Sequence, residues 1–269
     1  MRDTKIAVVV ANCPVGEIEA NLSAMETAVV QAAAGGAQLA CFPELNMTGY
    51  CNRPELAQFA LTLSGPEVRA ASRIAETNGI VILAGMAEKD ESGKVYASHL
   101  ILTPDGVIGV YRKVHIAPPE RGIFTAGDEV PVFRAAGICF GIQLCYDAHF
   151  PELSSAMTAR GAEVIFIPHA SPRGNPEEKH DSWMRHLPAR AFDNSVFIVA
   201  WNQTGENCKG LAFPGNMVAI APSGEIIAKD VSGVEGIFWV DLKAELLDHV
   251  RGHEMRYFFP HRRPEIYKT

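Results

Sequence analysis

The strongest constraint on this chain is the order in which two hydrophobic periodicities alternate along it. Short apolar, β-branched runs are followed by longer segments whose apolar residues recur at helical spacing, the order of an α/β sandwich rather than an all-helical or all-strand domain. Ile6–Ala11 reads as the first strand. Ile18, Leu22, Met25 and Val29 then mark one face of a helix, which ends at Gly35-Gly36 because glycine tolerates left-handed dihedrals. Leu39–Phe42 and Ile80–Ala87 read as strands flanking a helix over 66–78, where Pro66 suits the first turn. The second half repeats the rhythm with strands Ile138–Leu144, Val164–Ile167 and Val196–Trp201, and with helices from about Pro151 to Arg160 and from about Pro176 to Asn194. A last strand, Gly236–Val240, precedes a short helix and a Pro- and Arg-rich tail.

Segments 99–113 and 217–230 each place Pro-x-Gly between β-rich arms, so each supplies an antiparallel hairpin and the sheets are mixed. One hairpin in each half is compatible with two similar layers and with coincidence. No Gly/Ser/Pro tract divides the 269 residues, which are read as one domain with a large core. With 24 Lys and Arg against 31 Asp and Glu, and no basic run, the net charge of −7 argues against nucleic acid or an anionic membrane as partner. No apolar stretch is long enough to cross a bilayer, and the N-terminus reads as a strand rather than a leader. Six cysteines without CxxC spacing are expected to be reduced thiols in a cytoplasmic protein.

Three polar residues stand at strand ends, where open α/β folds build their sites. Cys145 closes the run ICFGIQLC and precedes a helix start at Pro151, so it sits on a strand-to-helix elbow of the kind that presents nucleophiles. A buried structural thiol is the alternative. Glu44 follows the Leu39–Phe42 strand among apolar neighbours that raise a carboxyl pKa toward that of a useful base; a capping or surface glutamate is the alternative. Lys113 ends GVIGVYRK beside a Pro- and Gly-rich loop, from which its charge can stabilise a thiolate or oxyanion; taken alone it is an ordinary surface lysine. Nine histidines invite a zinc reading, but none forms HExxH, and His249 and His253 lack a companion carboxylate and are separated by Gly252. No metal and no cofactor is expected.

The FPE segment at Glu44, YRKVHI with its loop running to the GD pair, and CYDAHFPE at Cys145 occur in one order along the chain. Together they resemble the nitrilase superfamily of carbon–nitrogen hydrolases, and the resemblance extends to the terminal RRPEIY. It implies a four-layer αββα sandwich with Glu44 as general base, Lys113 as catalytic lysine and Cys145 as nucleophile, with Glu120 as a second glutamate beside them. It also implies protomers that pair into a homodimer or larger homo-oligomer, with a tail of about 251–269 crossing to a neighbour. FPEL occurs twice, and Glu152, in the second copy, is assigned to the helix start, where a carboxylate meets the positive end of the dipole.

The expected reaction is hydrolysis of a small amide or N-carbamoyl compound through a thioester, with the Tyr146 N–H and Lys113 holding the oxyanion. Tyr146-Asp147, where nitrile-cleaving members usually carry Trp-Glu, favours C–N hydrolysis over the alternative of a nitrilase. A catalytically retired binding protein is the remaining alternative, opposed by the presence of all three residue types. Many relatives read CYDxRFPE, whereas His149 stands in the arginine's place here. Arg173 is a candidate partner for a substrate carboxylate or else a solvated loop residue, and Tyr50, Phe124, Trp201 and Asn202 are candidate pocket walls.

Overall fold

The computed structural model describes residues 1–266. Its first half runs β1 (Thr4–Val10), α1 (Ile18–Ala34), β2 (Leu39–Cys41), α2 (Pro66–Asn78), β3 (Val81–Lys89), β4 (Val95–Thr103) and β5 (Gly106–Arg112). The second runs β6 (Phe133–Ala135), β7 (Ile138–Ile142), α3 (Pro151–Ala159), β8 (Val164–His169), α4 (Pro176–Met184), α5 (Leu187–Asn194) and β9 (Phe197–Asn202). A small ribbon of β10 (Thr204–Glu206) and β11 (Ala212–Pro214) follows, then β12 (Met217–Ile220), β13 (Ile226–Asp230), β14 (Gly236–Leu242) and α6 (Ala244–Arg251).

The strands form two six-stranded sheets, ordered β14-β1-β2-β3-β4-β5 and β6-β7-β8-β9-β12-β13. Both are mixed, and their pairing is the same strand for strand. A central parallel trio, β1-β2-β3 or β7-β8-β9, carries an antiparallel hairpin on one side and a single antiparallel strand on the other. The two Pro-x-Gly hairpins, β4-β5 and β12-β13, therefore occupy equivalent places. The question left open by the sequence is answered at the level of topology: the two sheets are copies of one plan, with β14, the edge strand of the first, supplied from the second half of the chain.

Alternation along β1 shows how the layers stack. Ile6, Val8 and Val10 point into the core shared with the second sheet, where Phe140, Phe166 and Trp201 lie, while Ala7 and Val9 face the opposite way under Met25 and Val29 of α1. Both faces of the first sheet are thus covered, which is why its strands read as continuous apolar runs. The result is the expected αββα sandwich.

One expectation fails. The segment from Pro176 to Asn194 is two helices, because Pro188 lacks an N–H and its ring would collide with the carbonyl of Met184 if the helix continued. His186 takes up the break at φ −140°, ψ −36°. Of the tail expected at a neighbour, 251–266 is described, and 267–269 lie outside the described residues. No helix among the described residues is long and apolar enough to cross a membrane.

Candidate active site

The equivalent strand ends of the two sheets meet at one seam. Glu44 lies three residues beyond β2 and Ala170 one residue beyond β8, the matching strand of the other sheet. The Ala170 N–H donates to Glu44 Oε2 at 2.9 Å, and Gln203 Nε2 donates to the Glu44 carbonyl at 2.7 Å. The loop that carries Glu44 leans on β3, where Asn46 Oδ1 accepts from the Gly85 N–H at 2.7 Å and Met47 donates to the Gly85 carbonyl at 2.9 Å.

Glycine is needed at that contact. A Cβ on residue 85 would overlap the Leu45 backbone nitrogen and come within 2.9 Å of His99 Nδ1 and 3.2 Å of the Glu44 carbonyl carbon. Gly85→Ala is therefore expected to displace Glu44 and lower kcat by about tenfold to a hundredfold, for a stability loss of about 1–3 kcal/mol. Steady-state kinetics beside a melting curve check this, and unchanged turnover would show that the loop tolerates the shift.

Lys113 immediately follows β5, fully buried, and joins two carboxylates. Its Nζ donates to Glu44 Oε1 at 2.9 Å and to Glu120 Oε1 at 2.9 Å. Glu120 lies in a 3-10 turn, Pro118–Glu120, and its Oε2 accepts from the Ala117 N–H at 3.1 Å, which fixes the carboxylate toward the lysine. Burial pushes the Glu44 carboxyl up to about 7, with the Lys113 charge opposing and the Glu120 charge adding to the rise. Burial alone would discharge Lys113, but Glu44 and Glu120 outweigh it and hold the ammonium well above its ordinary range.

Cys145 stands where β7 turns into a 3-10 segment, Cys145–His149, that leads into α3. Its φ is +47°, a left-handed conformation that costs a non-glycine residue about 1–2 kcal/mol. The next residue, Tyr146, is in the first turn, so its N–H has no partner within that helix. Burial raises the Cys145 thiol to about 12, with the Glu44 charge adding and the Lys113 charge opposing. Cys13, Cys41, Cys51 and Cys139 are buried, Cys145 is half-buried and Cys208 is exposed.

The strained elbow is pinned by Asp147, a residue read from the sequence only as a mark of the amide-cleaving branch. Fully buried, its Oδ2 accepts from Tyr111 Oη at 2.7 Å and from the Leu144 N–H at 3.0 Å. Its Oδ1 accepts from the His115 N–H at 2.8 Å, and the His115 ring stacks on Phe150 with centroids 3.7 Å apart. Asp147 therefore ties the turn bearing Cys145 to the strand end bearing Lys113. A carboxylate two residues after the cysteine, inside an apolar elbow, was the available signal.

Of the other predicted residues, Tyr50 is buried against Phe213 and close enough to feel the charges of Glu120, Lys113, Glu44 and Cys145. Phe124 is buried beside Glu120, whose carbonyl accepts its N–H at 3.2 Å. Tyr146 meets His149 edge-on, and Glu152 lies exposed in the first turn of α3. Arg173 and His149 are exposed. Trp201 and Asn202 are enclosed rather than facing open space: Trp201 packs on Phe166 in the core, and Asn202 spends its amide on the Ser171 N–H, the Ser171 carbonyl and the Gln203 N–H. Asn202 thus shapes the loop that offers the Ala170 N–H to Glu44. The sequence reading missed that backbone donor, Ser171, and the buried Lys179, whose Nζ donates to Ser171 Oγ at 2.6 Å. No three His, Cys, Asp or Glu side chains among the described residues group as metal ligands.

A family model described as carbon-nitrogen hydrolase matches residues 5–251, and the chain belongs to that family of enzymes acting on carbon–nitrogen bonds other than peptide bonds. It is similar to an (R)-stereoselective amidase of Pseudomonas sp., 32% identical over 79% of this chain and 75% of that one. It is 31% identical to a nitrilase of Pyrococcus abyssi over 98% of both chains, and 29% identical to N-carbamoylputrescine amidase of Arabidopsis thaliana over 94% of this chain and 90% of that one. An amidase of Nesterenkonia sp. AN1 shares the fold, with a TM-score of 0.85 and 24% identity over 98% of this chain and 95% of that one. In another structure of that amidase the acetamide moiety of fluoroacetamide is covalently added at the active site cysteine.

Proposed function

We propose that this enzyme hydrolyses a small amide or N-carbamoyl compound through a thioester on Cys145, with Glu44 carrying the proton and Lys113 holding the developing oxyanion. The observation that supports it most is the dry cluster of Glu44, Lys113 and Glu120 beside a half-buried cysteine on a left-handed turn. With the carboxyl near 7 and the thiol near 12, the carboxyl ionises first, so the reactive form pairs a carboxylate with a thiol. Glu44 takes the thiol proton as sulfur bonds to the substrate carbon, and the carbonyl electrons move onto oxygen. Lys113 and the Tyr146 N–H stabilise that oxyanion. On collapse the C–N bond breaks and the nitrogen leaves with the proton from Glu44, as ammonia from a primary amide or ureido group. Water, deprotonated by the same carboxylate, attacks the thioester, and the thiol is restored. The exposed apolar residues Met255, Phe258 and Ile266 in the tail support pairing of protomers there.

Intact-mass spectrometry of acid-quenched enzyme across amide, ureido and nitrile substrates tests the reading. An acyl adduct on the wild type that is lost in Cys145→Ala is expected. Full activity in Cys145→Ala would refute it, and turnover of nitriles alone would replace the amide reading by the nitrilase one.

A further inference from the structure

The inward face of α4 carries Lys179 and Trp183, one turn apart. Trp183 packs against His169, but Lys179 places an ammonium, only 8% exposed, where an amphipathic helix would put an apolar residue. Burying that charge is costly unless it is matched. Its one hydrogen bond within the protein goes to a neutral oxygen, Ser171 Oγ, which leaves two of three donors for water or ligand. Among the described residues no carboxylate is within ion-pair distance of Lys179 or of Arg173.

The surroundings are basic as well. Burial lowers the Lys179 pKa and the Arg173 charge lowers it further, while Cys145 acts the other way. His149 and His186, whose rings lie 4.8 Å apart, are both held below their ordinary range by partial desolvation and by adjacent basic groups, so they favour the neutral form. A chain of net charge −7 thus buries, beside the loop that holds Glu44, an ammonium with no carboxylate at ion-pair distance among the described residues. Ser171 also fixes the distance to the chemistry, since the preceding residue, Ala170, donates its N–H to Glu44.

Resting on the reaction proposed above, we infer that Lys179, assisted by Arg173 at the rim, binds a carboxylate carried by the substrate, so that the natural substrate is an acid-bearing amide or ureido compound. The carboxylate fills the two free donors of Lys179 and supplies the missing negative charge.

The test compares a chain-length series of primary amides ending in a carboxylate with counterparts in which an isopropyl group replaces the carboxylate. The quantity read is the ratio of kcat/KM, acid over neutral, in which a general loss of active enzyme cancels. Wild type is expected to favour the acids, and Lys179→Met to reduce the ratio about 10- to 100-fold through a raised KM for the acids. Ser171→Ala, which keeps the charge but removes the oxygen orienting it, is expected to reduce the ratio severalfold and serves if Lys179→Met does not fold. Affinities of the same amide pairs for Cys145→Ala give a second ratio that needs no turnover. A wild type without preference for acids, or an equal loss on both series, overturns the assignment. If neither these amides nor the matching ureido compounds are turned over, the reaction proposed above falls, and the binding ratio still decides for or against Lys179.

Discussion

Glu44→Gln is expected to lower kcat/KM by about a hundred- to ten-thousandfold while the protein stays folded. The amide oxygen at residue 44 can still accept from Lys113, which keeps Glu120 as its counter-ion, so the buried cluster passes from two acids and one base to one of each, while the amide NH2 meets the Ala170 N–H donor to donor at a cost of about 1–3 kcal/mol. What disappears is the carboxylate that, among the described residues, touches both the lysine and the loop after β8, and with it the proposed proton acceptor for Cys145. The wild-type rate should carry the same signature: kcat/KM rises with pH as Glu44 ionises near 7. Stability moves the other way. A carboxyl raised from 4.5 to about 7 on folding binds its proton more tightly in the native state, so its contribution is complete below 4.5 and is lost as pH rises through about 7. Between those limits the wild type should lose more stability than Glu44→Gln. Kinetics and denaturant titrations across that range check both statements, and a variant with near-normal turnover would remove Glu44 from proton transfer.

Lys113→Met is expected to cost about 3–5 kcal/mol of stability, because it leaves Glu44 and Glu120 facing one another in a dry site with no cation between them. One of the two must then keep a proton, which weakens Glu44 as a base. Loss of the oxyanion donor alone removes about a hundred- to a thousandfold in rate. The effects separate in a double variant. Adding Glu120→Gln removes one of the stranded charges and should restore much of the stability and little of the activity. Denaturation curves for the single and double variants, with turnover measured where each is folded, give the comparison. A single variant as stable as wild type would mean that the pair is better hydrated than its burial indicates.

Much of this site was legible because strand ends are legible. Glu44, Lys113 and Cys145 each follow an apolar run, and alternation of those runs with helical segments fixes which ends share an edge. The break at Pro188 was equally available, since a proline inside a helical pattern removes a hydrogen bond wherever it falls. Glu120 was visible only through resemblance: it lies in a short turn without periodicity, and its distance from Lys113 is set by folding of the loop. Lys179 was hidden for a different reason. In PEEKHDSWM nearly every position is polar, so no apolar stripe says which face turns inward. The Ala170 N–H has no side-chain signature at all, being a backbone group whose orientation depends on Asn202, 31 residues from Ser171 in sequence.

The proposed proton donor and its acceptor belong to different sheets. Cys145 rides on the strand order that begins at β6, Glu44 and Lys113 on the order that ends at β5, and the Phe166 and Trp201 layer packs between them. The apolar filling therefore helps to space sulfur from carboxylate, beside the hydrogen bonds of Glu44 to Ala170 and Gln203. Enlarging or thinning it would detune the reaction without touching a polar atom, which makes the hydrophobic interior part of the enzyme's alignment hardware as well as its source of stability.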